Sequence, residues 1–244
     1  MEDKDTLLES GYDPRYASYC DHTVLRAYTT TEKIAEFCRE AIEYKAASVC
    51  VNPIHVSLVH RLLEGSNIKT STVIGFPLGA NKPCVKALEA KEAVNDGADE
   101  VDMVINIGAL REGNSKLVLE DIKAVVAAVE KKAAVKVIIE TCYLTKVEIR
   151  RACELAMEAK ADYIKTSTGM GSGGAREEDV RWIKKVVKDK MKIKASGNIN
   201  NRGTARSLLL AGADRLGVSR TPQIVRDQAE MSSASATNQP PYFP

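Results

Sequence analysis

The chain has 244 residues, of which 35 are basic and 33 acidic, for a formal net charge of +2, with 44% hydrophobic and 28% charged side chains. That balance is ordinary for a soluble globular protein, and with both signs evenly mixed no basic block offers a nucleic-acid surface. No apolar run approaches the roughly 18 residues that span a bilayer, and the acidic start, Met1-Glu-Asp-Lys-Asp, is wrong for a secretory or transit peptide.

Taken in order, the segments alternate. A first strand is expected around 19–21, then a helix over 31–44 and buried strands at 49–52 and 70–76. Helical patterns over 84–96, 116–131, 147–160, 177–190 and 202–211 are interleaved with apolar strands at 100–106, 135–140, 163–165, 192–194 and 215–217. Alanine-rich helices ending in Gly-Ala-Asp, as at Gly97 and Gly212, recur before strands, where glycine stops the helix. Continuously apolar strands joined by helices indicate a parallel sheet covered on its faces. Eight such units in this length predict an α/β fold, a single (β/α)8 TIM barrel, rather than an open doubly wound sheet. The barrel is expected over residues 1–231. Residues 232–244, polar and proline-rich, read as a flexible tail.

Six cysteines, Cys20, Cys38, Cys50, Cys84, Cys142 and Cys153, form no CxxC pair, and most fall within apolar segments as small buried hydrophobes. That usage suits a reducing cytoplasm. His22, His55 and His60 make no HxH or HExxH arrangement, so no metal site is expected.

The chemistry concentrates at strand ends. Lys165 closes the apolar strand Tyr163-Ile-Lys165, and Lys194 holds the equivalent place in the neighbouring one. A buried, unpaired ammonium is costly, and a neutral amine is a nucleophile toward carbonyls. A second ammonium about 4 Å away, at an effective dielectric of about 20, costs roughly 4 kcal/mol. That is enough to bring one of the pair into its neutral form near physiological pH. One would then attack while the other stays charged as a proton donor; the sequence leaves open which. Asp21, Asp102, Glu140 and Thr141 are the other polar strand-end residues. Asp102, between Val101 and Met103, is either tied to backbone amides or an acid–base group beside the lysines.

The motif Ile164-Lys-Thr-Ser-Thr-Gly169 resembles the Schiff-base motif of the deoxyribose-phosphate aldolases, and the similarity covers nearly the whole chain. It includes Asp21-His-Thr, Gly75-Phe-Pro-Leu-Gly79, Glu100-Val-Asp-Met-Val-Ile-Asn-Ile-Gly108, Lys136-Val-Ile-Ile-Glu-Thr141 and Gly171-Ser-Gly-Gly174. The resemblance implies that Lys165 forms the imine, that Lys194 perturbs it and relays protons, and that Asp102 is the acid–base aspartate. The implied reaction is reversible cleavage of 2-deoxy-D-ribose 5-phosphate into acetaldehyde and D-glyceraldehyde 3-phosphate, with no cofactor. Asp21, Cys50 and Thr168 are expected to support the site. The same resemblance implies small-molecule partners and a monomer or a dimer, of which a homodimer is the expectation taken forward.

The sequence departs from the family at the expected phosphate site. Where the family has Gly-Gly, a hydrophobic residue and arginine, this chain reads Gly197-Asn-Ile-Asn200; where it tends to Gly-Thr-Ser-Ser, this chain reads Gly217-Val-Ser-Arg220. Gly169, Gly197, Asn198, Gly217, Ser219 and Arg220 are the expected phosphate ligands, with Arg220 replacing the charge absent at Asn200. The alternative for Arg220 is a solvated helix-start residue. Tyr242 is a candidate for proton transfer from the tail, against a merely loose terminus. The competing functions are a Schiff-base aldolase for another aldehyde pair and a non-catalytic sugar-phosphate binder.

Overall fold

A computed structural model describes residues 4–227. Its eight strands close into a parallel barrel in chain order. They are β1 (Cys20–Val24), β2 (Ser48–Val51), β3 (Lys69–Ile74), β4 (Glu100–Val104), β5 (Ala134–Ile138), β6 (Tyr163–Lys165), β7 (Lys192–Ser196) and β8 (Arg215–Val218). The helices are α1 (Thr31–Tyr44), α2 (Val56–Leu62), α3 (Pro83–Asn95), α4 (Ile107–Arg111), α5 (Ser115–Ala128), α6 (Lys146–Glu158), α7 (Glu177–Val187), α8 (Arg202–Leu210) and α9 (Thr221–Arg226).

The expected strand order and the closed barrel are present. Three helices were not anticipated: α2, α4 and α9 are too short for a 3.6-residue period to stand out. Helix α7 stops at Val187, because Lys188 turns to a φ of 52°. Residues 228–244, with Tyr242 and the expected boundary at residue 231, lie outside the described residues.

Local chemistry sets the register. The recurring Ala-Asp before each of β4, β6 and β8 grips the first half of the preceding strand. Asp99 accepts from Thr70 N at 2.8 Å, Asp162 from Val135 N at 2.8 Å and Asp214 from Ile193 N at 3.0 Å. Each of these aspartates also donates its own N–H to the same residue's carbonyl. A two-point clamp of this kind prevents a one-residue slip, which would turn every inward side chain outward. Side chains of Thr30, Asn106, Asn114 and Asn201 cap α1, α4, α5 and α8, and Thr145 and Glu148 form a capping box at α6.

The apolar core lies between strands and helices, where Val49, Val101, Met103, Val137, Ile164, Ile193 and Leu216 are buried. The barrel interior is different. Branched aliphatic side chains usually fill it, but here Asp21, Ser48, Ser71, Glu100, Asp102, Lys136, Lys165, Lys194 and Ser196 are buried polar or charged groups contributed by the strands. Most of the cysteines are buried, as expected: Cys20, Cys38, Cys50 and Cys153 are, while Cys84 and Cys142 are exposed. Among the described residues no helix is long and apolar enough to cross a membrane.

Candidate active site

Strand register builds the site. Lys165, the last residue of β6, pairs with Lys194 of β7, and Asp102 of β4 pairs with Lys136 of β5. Alternation along each strand aims these side chains into the barrel. Lys194 is therefore mid-strand rather than at a strand end, and Asp21 and Asp102 also sit below the rim. The reason is that β7 and β1 continue past their expected ends at 194 and 21, to Ser196 and Val24, while β4 places Asp102 in its middle, as the expected strand 100–106 already did. Room for Lys194 comes from Gly217: a Cβ there would lie 3.2 Å from Lys194 Cε and 2.8 Å from Ser196 Cβ.

Asp102 is the hub. Its Oδ2 accepts from Lys165 Nζ at 2.8 Å and Lys194 Nζ at 2.6 Å, and its Oδ1 accepts from Lys136 Nζ at 2.7 Å. Asp21 holds Lys194 at 2.5 Å and Arg215 at 2.5 Å, and accepts from Ser48 Oγ at 2.7 Å. Lys136 also meets Glu100 at 2.6 Å and Ser71 Oγ at 3.2 Å. Of the two readings of Asp102, the ionic one is what the geometry supports.

The two lysines separate electrostatically. Burial pushes the Lys165 ammonium down; Asp102 opposes this, Lys194 adds to it, and the balance lies below the usual lysine range. Burial acts on Lys194 in the same direction, but Asp102 and Asp21 outweigh it and hold Lys194 above that range. Asp102 is itself disfavoured by burial, yet three ammoniums keep it well below the usual carboxylate range. Lys165 is thus the amine nearest neutrality. Cys50, fully buried, is pushed up by burial and is a packing thiol.

Above Lys165 opens a cavity of about 1100 Å³. Its walls come from the segments after four adjacent strands, β6, β7, β8 and β1. Thr168, Gly169, Gly197, Asn198, Gly217, Ser219 and Arg220 all line it, as does Asn200. Asn198 adopts a φ of 60°, a left-handed conformation that asparagine tolerates. Thr168 is fixed from below: its hydroxyl and N–H both donate to the buried Glu140, and it accepts from Met170 N at 2.9 Å. On the outer side of β1, His22 bridges Glu40 at 2.8 Å and Thr221 at 2.9 Å, tying the β8–α9 turn to α1.

Sequence reasoning did not single out Lys136, Glu100 or Arg215. Lys136 carried the same signal as Lys165, a lysine sharing an inward face with Ala134 and Ile138. Glu100 and Arg215 begin their strands and look solvated until the barrel closes over them.

The arrangement is a desolvated amine, held below the usual lysine range, at the floor of a polar cavity, with a second lysine and a carboxylate beside it. Comparison with known proteins agrees with that chemistry. The sequence pattern of the DeoC/LacD family aldolases matches residues 15–215. The deoxyribose-phosphate aldolase of Carboxydothermus hydrogenoformans is 54% identical over 215 residues, 87% of this chain and 94% of the relative. That of Clostridium tetani is 50% identical over 209 residues, 86% and 97% of the two chains. The solved structure of a tetrameric deoxyribose-phosphate aldolase from Aeropyrum pernix superposes with a TM-score of 0.81 at 30% identity, covering 87% of this chain and 90% of that one. With a barrel interior built around paired lysines and similarity running almost end to end, the chain belongs to the DeoC/LacD family of aldolases.

Proposed function

We propose that the protein reversibly cleaves 2-deoxy-D-ribose 5-phosphate to acetaldehyde and D-glyceraldehyde 3-phosphate through an imine on Lys165. The observation that supports this most is that Lys165 and Lys194 share one oxygen of Asp102, at 2.8 and 2.6 Å, with Lys165 alone of the two lining the cavity; burial holds Lys165 below the usual lysine range and the carboxylates hold Lys194 above it. Neutral Lys165 attacks the C1 aldehyde, and the Lys194 ammonium supplies the proton that lets water leave. The resulting iminium is the electron sink. Loss of the C3 hydroxyl proton then breaks the C2–C3 bond, releasing glyceraldehyde 3-phosphate, and protonation of the enamine followed by hydrolysis releases acetaldehyde.

Asp102 accepts from three ammoniums before substrate arrives, so it first serves as their counter-ion. Once the Lys165 nitrogen turns to the substrate, Oδ2 loses one donor and can take the C3 hydroxyl proton through a water. Asp21 steadies Lys194, and Thr168 lines the cavity that holds the imine.

The phosphate is placed in the same cavity, against Gly169, Gly197, Asn198, Gly217, Ser219 and Arg220, with Arg220 supplying the charge that Asn200 lacks. Arg220→Ala should raise KM for the phosphorylated sugar about 10-fold or more while leaving the unphosphorylated sugar nearly unaffected, as for loss of a charged hydrogen bond of roughly 1.5–3 kcal/mol. An unchanged preference for phosphate would refute that placement. The exposed Leu78, Val85 and Leu88 around α3 favour self-association, with a homodimer as the proposed state, measurable by light scattering. Six cysteines, all unpaired thiols, favour a cytoplasmic setting.

Borohydride reduction with 2-deoxyribose 5-phosphate, followed by peptide mass mapping, tests the mechanism. The reduced adduct is expected on the peptide holding Lys165. An adduct on Lys194 would exchange the lysine roles, and none on either in folded protein would overturn the imine reading.

A further inference from the structure

The charges beneath Lys165 close on themselves. Asp21 meets Lys194 and Arg215, each at 2.5 Å. Lys194 continues to Asp102 at 2.6 Å, and Asp102 to Lys136 at 2.7 Å. Lys136 continues to Glu100 at 2.6 Å, and Glu100 returns to Arg215 at 3.1 Å. The sequence Asp21, Lys194, Asp102, Lys136, Glu100, Arg215 is therefore a ring of six groups from β1, β7, β4, β5 and β8. Its charges alternate in sign, so each member lies between two of opposite charge. Lys165 stands outside the ring, attached through an Asp102 oxygen that Lys194 already uses.

Counting charge across this cluster changes the account of the nucleophile. The upper four groups, Asp21, Asp102, Lys165 and Lys194, balance when both lysines are charged. Repulsion between two ammoniums is then offset by two carboxylates and discharges neither. The lower three groups, Glu100, Lys136 and Arg215, add one net positive charge. With them the cluster balances only when one cation gives up its proton. Lys136 and Lys194 are fully buried; Lys194 bridges two carboxylates and Lys136 bridges two at 2.6 and 2.7 Å with Asp21 a third at 3.6 Å, whereas Lys165 shares one and faces the cavity. An uncompensated charge in such a place costs several kcal/mol, so the proton leaves the residue with the weakest hold and an exit.

We propose that Glu100, Lys136 and Arg215, which do not line the cavity, are positioning residues: by closing the ring with one net positive charge they make the Lys165 proton the surplus charge of the barrel interior. The inference rests on the imine reading above. The groups facing Lys165 are Asp102 from β4, Lys194 from β7, Cys50 from β2 and, beyond them, Lys136 from β5, Asp21 from β1 and Arg215 from β8. Of these, Cys50 is a buried thiol whose pKa burial raises, so it adds no charge near neutral pH.

The test is the pH dependence of imine formation at Lys165, trapped with acetaldehyde and cyanoborohydride and read by peptide mass. Arg215→Gln removes a positive charge and balances the cluster with Lys165 protonated. Its acid limb should move up by about one pH unit, the effect of a unit charge roughly 10 Å away at an effective dielectric of about 20. Lys136→Met should move it the same way, giving a second reading if one variant fails to fold. Glu100→Gln should move it down, and Glu100→Gln combined with Arg215→Gln should bring it back toward the parent. A purely structural role would change yield or turnover without these opposite displacements. Limbs that coincide with the parent in the folded variants would overturn the ring proposal while leaving the imine intact. Absence of any Lys165 adduct in the parent, at every pH, would instead overturn the imine reading.

Discussion

Lys86 and Asp121 meet at 2.6 Å between α3 and α5, while Lys165 and Asp102 meet at 2.8 Å inside the barrel, and all four side chains are nearly or wholly buried. Among the described residues neither member of the outer pair makes a second salt bridge. Lys86 also donates to Val104 O at 2.8 Å, and Asp121 Oδ1 has no hydrogen-bond partner. Burial dominates both members: it pushes Lys86 down against the pull of Asp121, and pushes Asp121 up against the pull of Lys86. Each drifts toward its neutral form. In the inner pair only the lysine does so, because Asp102 serves three ammoniums and stays charged. Burying a lysine beside an aspartate therefore does not make a nucleophile. What distinguishes Lys165 is the surplus of positive charge around a shared carboxylate, together with an open cavity above it.

The strongest way to break that contrast is to remove each lysine in turn. Lys165→Met should lower turnover by on the order of 10⁴-fold or more, as loss of a covalent nucleophile does, with thermal stability little changed or improved because a surplus charge is removed. Lys86→Met should do the reverse. It strands Asp121, so stability should fall by about 3–5 kcal/mol, read from denaturant unfolding, while the folded enzyme keeps its turnover per molecule. If Lys86→Met abolished turnover in folded protein, the division between strut and nucleophile would be wrong. Replacing both members, Lys86→Met with Asp121→Leu, should recover most of the lost stability, since an apolar pair of similar volume commonly matches a buried ion pair.

A finer separation comes from the pH profile of turnover. Lys165 is held below the usual lysine range, and it must be neutral to attack. Turnover should therefore rise with pH through an acid limb that belongs to this amine. Asp102 lies well below the usual carboxylate range, so it stays ionised across that limb and contributes no step of its own. Asp102→Asn should then shift the limb to lower pH, because Lys165 loses its counter-charge, besides lowering turnover about 10²- to 10⁴-fold. A limb that did not move would detach Lys165 from its carboxylate.

Much of this was legible in the chain before any coordinates, and the parts that were not share a cause. An apolar strand broken by a lysine, as in Tyr163-Ile-Lys165, is visible because alternation assigns the lysine to a buried face. The Ala-Asp clamps were visible only as a repeat; their hydrogen bonds depend on neighbouring strands. Helices α2, α4 and α9 were missed because they span fewer than three turns each. The ring escaped notice because its six members come from five strands, and no stretch of sequence holds more than two of them. Glu100 and Asp102 share one strand, but they are linked through Lys136 and not to each other.

The outer pair also makes the smallest testable difference. Asp121 has a raised pKa in the folded protein, so as pH falls from neutrality the folded state binds its proton before the unfolded chain does. By linkage, the stability attached to Asp121 is present in full below the unfolded carboxylate pKa and is lost as pH rises through the folded one. Lys86, with a lowered pKa, contributes in the opposite direction and only on the alkaline side. On mild acidification the parent should gain stability relative to the Lys86→Met, Asp121→Leu double variant, in which neither group titrates. Unfolding of the two proteins side by side, at pH values above the range where other carboxylates protonate, isolates the effect. A gap that widened in favour of the double variant would mean that Lys86 holds Asp121 ionised, as Asp102 is held, and that the two pairs differ in surroundings but not in electrostatic character.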